Sequence, residues 1–238
     1  MSLAAVVLAA GEGRRLQPLT DRWPKPVLPI DGRPVIATML VELRAAGFTE
    51  VTVVVGHLAE QLEGLLGNGS GFGLSIRYVP QPAPDGSADA VRRALQAGVA
   101  PPLLVAGADT VFTRVEIGAA AEAWSASGTP GGLGVRPVPP EDLERRAPVR
   151  ALGGRITALG GKADDRGDGQ KLAAAPLWFL DDRFAAHLVG LPGPPYELAE
   201  AGRRLLESGE AILALELGPT RDLTYPEDVA RHNFPYLR

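Results

Sequence analysis

The chain has no cysteine, few aromatic residues and no block of positive charge. The absence of cysteine among its 238 residues excludes disulfides, thiolate metal sites and cysteine nucleophiles. Lys and Arg number 24 against 28 Asp and Glu, which gives a net charge of −4. Without clustered positive charge we expect no binding to nucleic acid. No apolar run reaches the roughly 18 residues that cross a bilayer, so we expect no membrane partner.

What the sequence does have is enough apolar residue content for a sizeable core. Hydrophobic residues make up 45% of the chain, and this length favours one domain, 1–238. The apolar opening, residues 1–10, lacks a charged leading region and runs directly into a glycine-rich turn. It therefore predicts a buried strand and not a signal peptide. Together with the missing cysteines, this leads us to expect a cytoplasmic protein.

Short apolar runs alternate with helical patterns in the first half of the chain. The predicted strands are 3–8, 51–55, 74–79 and 103–106, and the predicted helices are 34–46, 58–66 and 87–97. This alternation predicts an α/β fold, a three-layer α/β/α sandwich on a mostly parallel, Rossmann-like sheet. Later predictions are strands at 131–138, 149–152, 155–159, 173–180 and 211–217, and helices at 195–208 and from residue 226.

The most informative segment directly follows the first predicted strand. Gly11-Glu12-Gly13 forms a turn whose backbone N–H groups can approach phosphate oxygens closely. It is neither a dinucleotide fingerprint, because Leu16 stands in place of the third glycine, nor a P-loop. Two cations, Arg15 and Lys25, lie on the same loop, and prolines at 18, 24, 26 and 29 restrict its backbone. The alternative is a surface loop with solvated cations.

Residues 11–30, in the pattern G-x-G-x-R-L-x-P-L-T-x-x-x-P-K-P-x-L-P-I, resemble the signature of the sugar-1-phosphate nucleotidyltransferases. The resemblance implies the nucleotide-diphospho-sugar transferase fold with a small β-rich acceptor region. It divides the domain into a nucleotide-binding half, 1–112, and an acceptor-binding half, 113–238. It also implies that Arg15 and Lys25 act on the nucleotide's phosphates, with backbone contacts from Ala10, Gly11 and Gly13. Arg14 departs from the pattern, since the family usually has a small hydroxyl residue there.

A second segment, residues 78–90, resembles the part of the family that reads the nucleotide base. The resemblance assigns base contacts to Gln81 and Gly86. A side-chain amide carries both a donor and an acceptor, as the edge of a base requires. An exposed polar loop residue is the alternative for Gln81.

Two carboxylates resemble the metal ligands of the family. Asp109 follows the strand at 103–106, and Asp222 lies in a segment similar to the family's terminal D-x-x-T/Y-P-E-D. The implied cofactor is Mg²⁺, which prefers oxygen ligands and substrate phosphates. The alternative for Asp222 is an acid in a loop or at a helix start. The three histidines lack the spacing of metal ligands, and His57 is expected to cap a helix or face solvent.

The resemblance is weakest where the acceptor would bind. Lys162 matches a phosphate-binding lysine, but Gly161 and Ala163 replace the Glu and Pro that flank it in the family. Pro176 and Trp178 stand where the family has Gly and Tyr.

The implied reaction joins an NTP and a sugar 1-phosphate to give an NDP-sugar and pyrophosphate. Two alternatives stay open, a non-sugar acceptor such as phosphocholine and a non-catalytic nucleotide-binding subunit. The sequence leaves the base, the acceptor and the oligomeric state open.

Overall fold

A computed structural model describes residues 3–139, 146–160, 169–219, 221–234 and 236. The strands are β1 Ala4–Leu8, β2 Pro29–Ile30, β3 Arg33–Pro34, β4 Glu50–Val55, β5 Ser75–Pro80, β6 Leu103–Gly107, β7 Thr110–Val111, β8 Gly131–Arg136, β9 Pro148–Leu152, β10 Arg155–Leu159, β11 Gln170–Leu180, β12 Ile212–Glu216 and β13 Arg221–Asp222. The α-helices are α1 Val35–Ala45, α2 Ala59–Leu66, α3 Ser87–Gln96, α4 Arg114–Ser127, α5 Asp182–Ala186, α6 Leu198–Glu207 and α7 Pro226–Asn233. The predicted α/β class is confirmed.

One nine-stranded sheet runs through both halves of the sequence, in the order β5-β4-β1-β6-β11-β8-β12-β10-β9. Its first four strands are parallel, with Ala5 opposite Val51 and Leu104. Strand β11 is antiparallel to β6 and to β8, and β9 and β10 form an antiparallel hairpin. The sheet is therefore mixed, and the predicted parallel pairing holds for its first four strands and for the pair of β8 and β12.

Two apolar clusters lie on opposite faces of this sheet. Val6 packs in one cluster with residues of α3 and α6, and its neighbours Ala5 and Val7 pack in the other with residues of α1, α2 and α4. Successive side chains of a strand point to opposite faces, so β1 is covered on both sides. This explains why its sequence is apolar throughout and does not alternate.

The parallel strands β5, β4, β1 and β6 end at the same edge of the sheet. The glycine turn follows β1, Gly56 and His57 follow β4, Gln81 follows β5, and Asp109 lies two residues after β6. A small pairing of β13 with β7 places Asp222 opposite Thr110 near the same edge. Residues far apart in sequence thus meet where ligands of open α/β sheets bind. No helix in the described chain is long and apolar enough to cross a membrane.

Candidate active site

The glycine turn after β1 packs against later residues of the same loop. Gly13 has a φ of 64°, and a Cβ there would lie 2.9 Å from Thr20 Cγ2 and 3.1 Å from Lys25 Cβ. The Thr20 hydroxyl donates to the Gly13 carbonyl at 3.0 Å. At Gly11, by contrast, a Cβ would meet no described atom within 4 Å. Gly13 therefore allows the loop to fold over Lys25, while Gly11 faces open space.

His57, just after β4, forms hydrogen bonds to the loop that follows β1. Its ring Nε2 lies 2.8 Å from the Thr20 carbonyl, and its backbone N–H donates to the Ala10 carbonyl at 3.2 Å. At the adjacent Gly56, a Cβ would lie 2.8 Å from the Ala10 carbonyl oxygen. The sequence suggested a cap or a solvated residue, whereas the structure gives His57 a role in positioning the loop.

Lys25 and Asp109 form an ion pair between the loop and the end of β6. Their side chains are 15% and 29% exposed, so both keep access to solvent. The pair lies on a cleft of about 370 Å³ whose described lining is Leu8, Ala9, Gly11, Gly13, Arg14, Arg15, Leu16, Lys25, Pro26, Ser87, Gly107, Ala108, Asp109, Pro176 and Thr224. Three cations and one carboxylate thus line the same cleft as the glycine turn.

The two arginines of the loop differ in their surroundings. The Arg15 guanidinium lies over the ring of Tyr225, 5.7 Å from its centroid. This cation–π contact connects the loop to the segment just before α7. Arg14 is 75% exposed and pairs with Glu12. Arg15 is therefore the better positioned of the two to act on a bound anion.

Larger cavities lie elsewhere in the described chain. One of about 720 Å³ is at the amino ends of the parallel strands, and one of about 710 Å³ lies beside α4. Neither contains a residue that the sequence singled out. The smaller cleft is the candidate site because the charged groups and the glycine turn meet there.

Gln81 lies at the neighbouring strand end and is 5% exposed. Its Nε2 donates to the Gly86 carbonyl at 2.9 Å and to Asp89 Oδ2 at 3.0 Å. Gly86 has a φ of 99°, and a Cβ there would lie 2.3 Å from the backbone oxygen of Tyr196. In this structure, the need for glycine at 86 comes from Tyr196. A base contact at Gly86 stays a prediction.

Asp222 is 8% exposed and surrounded by cations. Arg146 Nη1 donates to its two carboxylate oxygens at 2.8 and 2.9 Å, Arg136 Nη2 donates at 3.1 Å, and the Thr224 hydroxyl donates at 2.9 Å. Burial by itself would raise the pKa of Asp222, but the bonds and charges of Arg146 and Arg136 bring the pKa below its ordinary value. Burial also lowers the pKa of Arg136.

This arrangement predicts a large effect of Asp222→Asn on stability. Removing the charge takes away the carboxylate that the buried Arg136 and the partly exposed Arg146 share, and we expect a loss of about 3 kcal/mol in the free energy of unfolding at pH 7. Because the pKa is lowered in the folded state, the stabilisation is present above the ordinary value of 3.8 and is lost as pH falls through the lowered pKa. Urea unfolding of wild type and variant at pH 7 and pH 3 measures the loss of stability and its dependence on pH. An equal difference between wild type and variant at the two pH values would contradict the ion cluster.

The acceptor-binding predictions have mixed outcomes. Lys162 lies outside the described residues, as do Gly161 and Ala163. Pro176 lines the cleft beside Gly107. Trp178 is 8% exposed and packs edge-on against Phe184 at 5.7 Å, within the core. Its ring face is therefore not available to a ligand in the cleft.

Among the described residues, no group of three or more His, Cys, Asp or Glu side chains is arranged to hold a metal ion. Of the two predicted metal ligands, Asp109 lines the cleft and Asp222 is bound by Arg136 and Arg146. Mg²⁺ is often held by one or two carboxylates together with substrate phosphates. Asp109 has one ion-pair partner, Lys25, and is 29% exposed on the cleft, so its carboxylate fits that chemistry, whereas the buried Asp222 would have to exchange its bonds to two arginines.

Comparison with known proteins finds similarity to nucleotidyltransferases in each case. A model of the nucleotidyl transferase family matches residues 4–145. An N-acetylmuramate alpha-1-phosphate uridylyltransferase of Neisseria meningitidis serogroup B is 41% identical over 119 residues, 50% of this chain and 51% of that protein. A glucose-1-phosphate thymidylyltransferase of Streptomyces griseus is 42% identical over 89 residues, 37% of this chain and 25% of that protein. These matches span about half or less of the relatives' lengths.

The fold also has a solved counterpart. A Bacillus anthracis protein described as a glucose-1-phosphate thymidylyltransferase, crystallised with sucrose, superposes with a TM-score of 0.85. The superposition covers 98% of this chain and 94% of that chain at 20% sequence identity. At that identity, the likeness shows a shared α/β fold.

Proposed function

The chain belongs to the nucleotidyl transferase family, and from this premise we propose that it joins an NTP to a sugar 1-phosphate, giving an NDP-sugar and pyrophosphate. The observation that carries the proposal is the cleft in which Lys25 and Asp109 pair beside the glycine turn. A triphosphate needs backbone donors and cations in one place, and this cleft supplies both. We place the substrates in a single domain, 1–238, with the nucleotide held by residues of 1–112.

In this reaction, an oxygen of the acceptor's phosphate attacks the α-phosphorus of the NTP. The new P–O bond forms as the bond from the α-phosphorus to the bridging oxygen breaks, and pyrophosphate leaves with that electron pair. The acceptor phosphate is already ionised at pH 7, so no protein nucleophile is needed. Arg15 and Lys25 are proposed to hold the phosphates in line and to neutralise the charge that develops on the leaving group.

The remaining site residues divide between the two substrates. We assign the triphosphate to the backbone at Ala10, Gly11 and Gly13 and the base to Gln81 and Gly86. Lys162 is proposed for the acceptor's phosphate from the resemblance alone. The two apolar clusters on opposite sheet faces support the three-layer α/β/α arrangement for this fold.

Mg²⁺ is the proposed cofactor, and Asp109 is the residue whose carboxylate fits it best. When bound, the ion would neutralise phosphate charge and help to orient the triphosphate. Asp222 is the second ligand that the resemblance implies, but its two arginine partners compete for the same oxygens.

Because Asp109 lies on the cleft and Asp222 is bound by two arginines, we expect the two carboxylates to contribute unequally to metal binding. Mn²⁺ affinity, measured by electron paramagnetic resonance with a non-hydrolysable NTP analogue, should fall at least tenfold in Asp109→Asn. Asp222→Asn should change it by less than threefold, because Asp222 is occupied by arginines. Equal losses in both variants would show that Asp222 leaves Arg136 and Arg146 to bind the metal.

The sugar acceptor is favoured over phosphocholine by one structural observation. The phosphocholine alternative rests on an acceptor pocket with fewer polar partners, at Gly161, Ala163 and Pro176, and on Trp178 as a contact for a quaternary ammonium group. Trp178 is buried against Phe184, so its ring cannot contact a quaternary ammonium group in the cleft.

Pyrophosphate release with Mg²⁺ tests the proposal. Five NTPs are combined with sugar 1-phosphates and with phosphocholine, and we expect release with at least one sugar 1-phosphate. Release with phosphocholine alone would overturn the sugar acceptor. Nucleotide binding without release from any acceptor would favour the non-catalytic alternative.

A further inference from the structure

The amide of Gln81 is held by two acceptors, and this determines which way it faces. Nε2 donates to the Gly86 carbonyl at 2.9 Å and to Asp89 Oδ2 at 3.0 Å. A carbonyl and a carboxylate have no proton to give, so only the NH₂ end of the amide can face them. Both amide hydrogens are thereby used within the protein.

The amide oxygen of Gln81 is left to a ligand. Within the described chain, Oε1 has no hydrogen-bond partner, and it is not among the buried polar atoms that lack one. Gln81 follows β5 at the sheet edge that carries the glycine turn, and Ser87, six residues later, lines the cleft. A group that extends from the cleft past Ser87 toward the end of β5 would meet a hydrogen-bond acceptor at this position.

Asp89 is itself held in place. Arg92 Nη2 donates to Oδ1 at 2.9 Å, and Arg93 Nε donates to Oδ2 at 2.6 Å. The Arg92 guanidinium also lies over the Tyr196 ring, 4.7 Å from its centroid. Burial would raise the pKa of Asp89, but the bonds from Arg93, Gln81 and Arg92 bring it below the ordinary value. The carboxylate therefore remains an acceptor for Gln81 at neutral pH.

We propose that Asp89 is a positioning residue for base recognition, which holds Gln81 with its oxygen outward so that the site selects bases with a ring N–H at the centre of the pairing edge. Uracil, thymine and guanine have this N–H. In cytosine and adenine, the central ring nitrogen is an unprotonated acceptor, which would oppose the lone pairs of Oε1. The inference rests on the proposed function, since it requires an NTP whose base lies at Gln81.

Calorimetric binding of UTP, dTTP, GTP, CTP and ATP to the wild-type protein gives the first test and needs no acceptor. We expect UTP, dTTP or GTP to bind at least tenfold more tightly than CTP and ATP. Methylation of the central ring nitrogen of the preferred nucleotide should abolish that advantage. For a pyrimidine, 3-methyl-UTP is the probe, and 5-methyl-UTP is the matched control that adds a methyl group but keeps the ring N–H.

Variants of Asp89 test its role separately from that of Gln81. Asp89→Leu removes one of the two bonds that hold the amide, so the preference over CTP and ATP should fall at least fivefold. Asp89→Asn can still accept from Gln81 with its remaining oxygen and should retain most of the preference. Arg93→Gln, which perturbs the same cluster without removing the Asp89–Gln81 bond, is the control. A purely structural role would weaken binding of all five nucleotides alike.

The outcomes separate this inference from the function on which it rests. Tightest binding of CTP or ATP by the wild type would overturn the base selection alone. An unchanged preference in folded Asp89→Leu would overturn the role of Asp89, and if that variant does not fold, loss of the preference in Asp89→Asn would do so. Failure to bind any nucleotide would contradict the proposed function together with this inference.

Discussion

Replacing Lys25 by alanine is expected to lower kcat/KM for pyrophosphate release by about 10²–10³-fold. Removal of one well-placed electrostatic donor at a reacting centre typically costs about 2.7–4 kcal/mol of transition-state stabilisation. Lys25 is 15% exposed, lies on the cleft and is paired with Asp109 across it. Its amine is therefore fixed before the substrate binds, so phosphate binding loses little conformational entropy of the lysine side chain.

Steady-state kinetics with separate kcat and KM values measures this effect. Because the proposed charge develops on the leaving pyrophosphate, most of the loss should appear in kcat. Arg22→Ala is the matched control, since Arg22 is an exposed cation of the same loop that does not line the cleft. Turnover of Lys25→Ala within threefold of wild type would contradict the proposed role.

The second large effect is expected from Gly86→Ala, which should lower the free energy of unfolding by at least about 3 kcal/mol. Gly86 has φ 99° and ψ 171°, a region of backbone conformation that is essentially restricted to glycine. An added Cβ would lie 2.3 Å from the oxygen and 2.7 Å from the nitrogen of Tyr196. Those are backbone atoms, so no side-chain rotation relieves the overlap. Either α3 or the segment at Tyr196 has to move.

Urea unfolding measures this loss, and Gly64→Ala provides a control of opposite sign. Gly64 is exposed within α2, and a Cβ there would meet no described atom within 4 Å. Alanine in an exposed helix interior is about 0.5–1 kcal/mol more favourable than glycine, so this variant should be slightly more stable. A Gly86→Ala variant as stable as wild type would show that the contact with Tyr196 is not required.

Elements with strong local patterns were predictable from the sequence. The buried strand before the glycine turn and the helix at Ser87–Gln96 both appear in the structure. The hairpin at Gly153 and Gly154 also appears, since both residues adopt a positive φ, as the tight turn requires. In each case the local sequence pattern was enough to predict the element.

Helix α4, Arg114–Ser127, was missed, although the sequence contains a usable signal for it. Thr113 and Glu116 form a reciprocal capping box at its start, and Gly128 ends it in a left-handed conformation. Its apolar residues are mainly alanines, so the periodic pattern that revealed the other helices is weak here. The capping residues were the stronger evidence.

The partners within the site could not be predicted in the same way. The Gly56–Ala10 contact and the Asp222 ion cluster connect separate strand ends, and the Asp89–Gln81 bond connects helix α3 to the end of β5. Which strand ends meet is determined by sheet order, and the insertion of β11 next to β6 is not visible in local spacing. The resemblance supplied candidate residues, and the structure supplied their neighbours.

The central claim is that the cleft at Lys25 and Asp109 transfers a nucleotidyl group, and ³¹P nuclear magnetic resonance of the reaction mixture tests it most directly. With Mg²⁺, an NTP and a sugar 1-phosphate, the account predicts that the triphosphate signals give way to a sugar diphosphate diester and free pyrophosphate in equal amounts. Both signals should be absent over the same period with Lys25→Ala. Formation of NDP and orthophosphate, with no diester, would contradict the account.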